Sequence, residues 1–261
     1  MFTSLLGRSP QAAERRYARR LQSEVRVKTI GLLGGMSWES TATYYETINR
    51  AVSQKLGGLH SAKLLLYSVD FAEVEELQHA DRWAEAGSLL AGAAITLREA
   101  GADFIVLCTN TMHRVAGDIE ARVQVPVLHI ADPTAEAVRR HGLSTVGLLG
   151  TAFTMEQEFY RGRLERQFGL EVQVPEATSR QLVHDVIYTE LCRGIISESS
   201  RQAFRRVVDE LAAKGAEAII LGCTEIGLLL RPGDVSVPLF DTADLHARAA
   251  ASFALDGAAG A

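Results

Sequence analysis

The feature that most constrains this chain is that it repeats itself. Laid on itself at an offset of about 114 residues, the sequence recurs in order. Thr29-Ile-Gly-Leu-Leu-Gly34 returns as Thr145-Val-Gly-Leu-Leu-Gly150, and Val125-Pro126 returns as Val237-Pro238. Gly101-Ala-Asp-Phe-Ile-Val-Leu-Cys-Thr109 returns as Gly215-Ala-Glu-Ala-Ile-Ile-Leu-Gly-Cys-Thr224, with Gly222 as an added residue before the cysteine. Preserved order implies two similar halves, placed at 28–137 and 138–255, each within the usual size of a domain of roughly 100 to 150 residues. Residues 1–27, rich in arginine and without apolar period, form an N-terminal extension, and 256–261 form a tail.

Within each half, short β-branched runs ending in Gly or small polar residues alternate with longer stretches of helical period, the pattern of an α/β fold. Strands are expected at 29–33, 63–68, 104–107, 127–130, 145–149, 219–221 and 239–240, and a helix from Asp81 to Glu99 stopped by Gly101. We therefore expect two similar pseudo-symmetric domains, each a mostly parallel sheet flanked by helices. A small ligand would bind in the cleft between them, beyond the carboxyl ends of the strands.

Composition narrows the function. A net charge of −5 argues against nucleic acid or an anionic membrane surface as partner. The apolar runs fall far short of the roughly 18 residues a membrane span needs, and the start has no signal-peptide pattern. Three widely spaced cysteines, at 108, 192 and 223, are not a disulfide framework, which points to free thiols and a reducing, cytoplasmic setting. Cys108 with His113 supplies too few ligands for a metal. Gly31-x-x-Gly34-Gly35 lacks both the spacing and the following acidic residue of a dinucleotide loop, so no cofactor is expected.

Cys108 and Cys223 each end a strand and are followed by Thr and a helix start. Helix N-termini lower a thiol from its ordinary pKa of about 8.5, bringing the thiolate within reach. If the halves face each other, the two thiols approach one carbon from opposite sides, as removal and return of a proton with inversion requires. Cys192, with no repeat partner, is assigned to packing, and His113 either packs or orients a ligand. Asp70 and Glu225 could bind an ammonium group or cap helices. Ser37, Thr41, Thr109, Asn110, Thr111, Thr151, Thr154 and Thr224 cluster at strand-to-helix junctions, where they are either N-caps or donors for an α-carboxylate.

Taken together, Gly34-Gly-Met-Ser-Trp-Glu-Ser40, Ser68-Val-Asp70, Cys108-Thr-Asn-Thr-Met-His113, Phe153-Thr-Met-Glu-Gln157 and Gly222-Cys-Thr-Glu-Ile226 resemble the aspartate/glutamate racemase family. The resemblance runs from Lys28 to Phe253. It implies a homodimeric amino-acid racemase that needs no pyridoxal phosphate, with Cys108 and Cys223 alternating as base and acid. Met36, Ser37, Thr109, Asn110, Thr111, Thr224 and Glu225 would surround the amino acid, and Gln78 would lie near its side chain. Family members dedicated to acidic substrates hold the distal carboxylate with basic residues. Here Gln78 is neutral, and between Glu176 and Asp185 Arg180 is the one strongly basic residue, with Leu182 beside it, so the sequence resembles the bacterial branch that also accepts neutral polar amino acids. The alternatives are another paired-cysteine reaction on the same scaffold (maleate isomerisation, hydantoin racemisation or malonate decarboxylation) and a non-catalytic carboxylate-binding protein.

Overall fold

The computed structural model describes residues 27–256, so the expected N-terminal extension, up to Arg26, and the tail from 257 onward lie outside the described residues. The first half runs β1 (Ile30–Gly34), α1 (Trp38–Leu56), β2 (Leu64–Ser68), α2 (Phe71–His79), α3 (Trp83–Glu99) and β3 (Phe104–Leu107). A 3-10 turn (Thr111–Val115), α4 (Ala116–Val123), β4 (Val127–Leu128) and α5 (Ala131–Arg140) complete it. The second runs β5 (Thr145–Gly150), α6 (Ala152–Glu156), α7 (Arg161–Phe168), β6 (Glu171–Gln173), α8 (Ala177–Thr189) and a 3-10 turn (Leu191–Arg193). It ends with α9 (Glu198–Ala213), β7 (Ala218–Gly222), α10 (Ile226–Leu229), β8 (Leu239–Asp241) and α11 (Thr242–Leu255). No described helix is long and apolar enough to cross a membrane.

The strands form two four-stranded parallel sheets in the same order, β2-β1-β3-β4 and β6-β5-β7-β8. Parallel sheets are covered on both faces, which is why β1, β3 and β7 are unbroken apolar or glycine runs, buried throughout. The repeat extends to single interactions. Asp103 accepts the Thr29 N–H at 2.7 Å, and its mate Glu217 accepts the Thr145 N–H at 2.9 Å. Gly101 and Gly215, at φ +104° and +101°, turn the chain into β3 and β7 with a backbone few other residues adopt. Every strand expected from the pattern is present. The unexpected one, β6, is a three-residue edge in which only Val172 is buried, so it carries no apolar run.

Alternation along β3 divides the first core. Ile105 and Leu107 pack toward α3 and α4, whereas Phe104, Val106 and Cys108 pack toward α1 and α11. The last contact crosses between the halves. An alanine stripe on α11 (Ala243, Ala247, Ala250, Ala251, Ala254) lies against Ile30, Leu32 and Tyr44 of the first half. Reciprocally, Ala131, Ala135 and Val138 of α5 join the core of the second sheet. A cut at residue 137 would therefore pass through a helix that belongs to the second core. The exchanged helices brace the two sheets against each other and fix the cleft.

Candidate active site

Loops following β1, β3, β5 and β7 converge on a narrow cleft with a cavity volume of about 20 Å³. Its walls include Met36, Gln78, Thr109, Asn110, Thr111, Cys223, Thr224 and Glu225, with Phe71, Thr151, Ile187, Tyr188, Cys192 and Gly222 completing them. Side chains from the two halves meet there directly. Ser37, the N-cap of α1, donates to Glu225 Oε1 at 2.6 Å. Thr111 and Thr151 share a hydroxyl bond at 3.0 Å, and Tyr188 donates to Gln78 Oε1 at 3.0 Å.

The two expected thiols do not meet in this cleft. Cys108 is wholly buried, its Sγ turned toward the Val106 carbonyl at 3.7 Å, and is absent from the cleft wall. The cause is strand parity: Cys108 continues the alternation of Phe104 and Val106 and so points into the α1/α11 core. The registers Leu33 with Leu107 and Leu149 with Leu221 make Leu107 and Leu221 equivalent. Counting on from them, Cys108 matches Gly222 and Thr109 matches Cys223. Gly222 has no room for a side chain, because a Cβ there would lie 2.7 Å from Leu148 Cδ1 and 2.9 Å from the Leu149 carbonyl. The signal was in the sequence: the offset of 114 stays constant only if Cys223 pairs with Thr109.

Helix dipoles do not activate the thiols either. Cys223 is followed by a helix of four residues and Thr109 by a 3-10 turn, too short for a substantial terminal charge. Burial pushes Cys108 and Cys192 up, and burial with the Glu225 carboxylate beside it pushes Cys223 well above the ordinary thiol range. Cys223 donates to Glu225 Oε2 at 2.9 Å, and Thr224 donates to the same oxygen at 2.8 Å. Glu225, 2% exposed, is thus held by three donors drawn from both halves.

Asn110 has a fixed orientation. Thr242 gives its hydroxyl proton to the Leu221 carbonyl and so accepts from Asn110 Nδ2 at 3.0 Å, which leaves Asn110 Oδ1 buried and without a protein partner. A buried acceptor in a cleft wall suits an ammonium hydrogen. His113 is equally determined: its Nε2 accepts the Ile130 N–H, so Nδ1 carries the proton donated to the Thr109 carbonyl at 2.7 Å. Burial lowers His113 to about 4, and the neutral ring pins the Thr109 loop to the start of α5.

Ser37, expected to surround the ligand, is buried and spends its hydroxyl on Glu225, and it and the other flagged residues lie outside the cleft wall. Asp70 caps α2 through the Ala72 N–H, Thr41 bonds the Gly35 N–H and the Ser37 carbonyl, Thr154 packs beneath Thr151, and Arg180 pairs with Glu156 at 2.9 Å. Cys192, expected only to pack, does reach the wall. Phe71, Ile187 and Tyr188 had no signal, because they reach the cleft through the packing of α2 and α8. Among the described residues no group of three or more His, Cys, Asp or Glu is arranged to hold a metal.

Residues 33–250 match the sequence profile of the family described as Asp/Glu/Hydantoin racemase. A broad specificity amino-acid racemase of Bacillus subtilis, RacX, is 23% identical over 236 residues, covering 85% of this chain and 96% of its own. A Yersinia pestis chain crystallised as a candidate Asp/Glu racemase is 58% identical with a TM-score of 0.81, covering 87% of this chain and 99% of that one. An aspartate racemase homologue from Pyrococcus horikoshii, at 35% identity and a TM-score of 0.75, covers the same shares.

Proposed function

The chain belongs to the Asp/Glu/hydantoin racemase family, and we propose that it interconverts the enantiomers of a free amino acid by proton transfer at Cα. In this reading Cys223 serves one face of the carbon and the hydroxyl of Thr109 the other, without a cofactor. The observation that carries it is the equivalence of Thr109 and Cys223 in two matching loops that line one cleft. The Asn110 Oδ1 acceptor supports an ammonium position, and the hydroxyls of Thr111 and Thr224 support a carboxylate position where charge builds as the proton leaves. The name of the Bacillus relative, a broad specificity amino-acid racemase, supports a substrate range wider than aspartate and glutamate. The reading includes a homodimer, for which light scattering should give twice the monomer mass.

A hydroxyl is a much weaker base than a thiolate, so the two faces should differ. The enantiomer presented to Cys223 should exchange its Cα hydrogen with solvent faster than it inverts. Proton NMR in D2O with L- and D-aspartate, glutamate and homoserine checks this. Wild type should exchange and invert, Cys223→Ala should do neither, and Thr109→Val should keep exchange of one enantiomer while losing inversion. Full inversion by Thr109→Val would remove the assignment.

A further inference from the structure

We infer that Glu225 is the proton acceptor of Cys223, the two side chains sharing one proton whose passage from Sγ to Oε2 creates the thiolate without adding charge to the cleft. This rests on the reading above, in which Cys223 removes the Cα proton. The contact is direct, 2.9 Å from Sγ to Oε2. The carboxylate is held in place by Thr224 on Oε2 and by Ser37, from the opposite half, on Oε1. Both partners are buried, Cys223 at 8% and Glu225 at 2% exposure.

Losing the thiol proton to solvent instead would put a second negative charge beside the first. Nothing on the wall would compensate it: the titratable neighbours of the pair are Cys192, Tyr188, Tyr44 and Asp241, the Glu39 carboxylate lies close to Cys192, and the cleft wall holds no Lys or Arg among the described residues. Two like charges in a buried site are strongly disfavoured. Transfer within the pair leaves the cleft with the one charge it already carries.

The step balances. The Sγ–H bond breaks, an O–H bond forms on Oε2, and the electron pair stays on sulfur. The thiolate then takes the Cα proton, forming S–H and leaving the pair on Cα, delocalised into the α-carboxylate. When the new proton arrives on the opposite face, the pair holds one proton more than at the start and the opposite donor one fewer. The first is released to solvent and the second regained as the cleft reopens. In the resting pair the thiol donates to the carboxylate, so the thiolate is a minor, reactive species.

Glu225→Gln keeps the shape and removes the acceptor, and it should move two readouts in opposite directions. Cα exchange in D2O should fall by about 10²-fold or more. Alkylation of Cys223 by iodoacetamide, followed by peptide mass spectrometry at pH 8, should speed up several-fold, because in the open protein solvent takes the thiol proton and the neighbouring negative charge is gone. Exchange, by contrast, needs an acceptor inside the closed, water-free cleft. Glu225→Asp keeps a carboxylate and should restore exchange to an intermediate rate. Exchange in Glu225→Gln within about threefold of wild type would overturn the inference, as would alkylation that slows together with exchange, the mark of a disturbed loop. A wild type that exchanges no amino acid would remove the proposed reaction and this inference with it, whereas loss of the inference alone leaves wild-type exchange intact.

Discussion

The loop after β3 and the loop after β7 occupy equivalent places, yet one presents Thr109-Asn110-Thr111 and the other Cys223-Thr224-Glu225. The first offers hydroxyls and an amide, is pinned from behind by His113, and has its cysteine one residue earlier, on the core side. In the second the thiol is on the cleft side, with a carboxylate bonded to it and a glycine in the core position. The repeat supplies two equivalent frames on one cleft wall, and one residue of displacement decides which cysteine lies there. Similar backbones thus present a thiol on one side and a hydroxyl on the other.

The sharpest way to break this comparison is to remove each loop's reactive group. Cys223→Ala should lower Cα exchange by about 10³-fold or more, read by NMR in D2O. Thr109→Val should cost about 10²-fold in inversion while exchange of one enantiomer persists, and equal losses in both variants would make the loops functionally alike.

Acid should act through the first loop. Burial lowers His113 to about 4 and His246 to about 3, the latter ring accepting from Tyr44 OH and donating to the Leu128 carbonyl. Asp132 and Arg163 act on His113 in opposite directions. Both histidines titrate lower folded than the ordinary value near 6.5, so the unfolded chain binds more protons in between. Their contribution is whole above about pH 6.5 and fades as pH falls toward 4, a loss on the order of a few kcal/mol. Urea midpoints at pH 7.5, 5.5 and 4.5 check it, and a midpoint unchanged over that range would contradict it.

Smaller effects separate the core positions. Gly222→Ala should destabilise by about 1 to 3 kcal/mol, because a Cβ meets the Leu149 carbonyl. Cys108→Ala, at the equivalent place, should cost only about 1 kcal/mol, with catalysis retained. Chemical denaturation compares the two.

Much of the fold was readable because the repeat and the apolar strand runs are local signals. β6 was not, since a short edge strand needs no apolar run. The exchange of α5 and α11 was also hidden, because an apolar helix stripe reads the same whichever sheet it covers. In the site, Cys223, Thr224, Asn110 and Glu225 stood out at strand ends. Tyr188 could not, as only tertiary packing carries it to Gln78. The displacement of Cys108 was legible in strand parity and in the constant offset of 114 that pairs Thr109 with Cys223.

The most direct test of the asymmetric site is the inversion time course of Cys108→Ala, followed by circular dichroism from either enantiomer of the best substrate. The account predicts inversion within about threefold of wild type, since the thiol removed belongs to the core. Abolished inversion in a folded Cys108→Ala protein, with Thr109→Val still inverting, would contradict it and return Cys108 to the cleft.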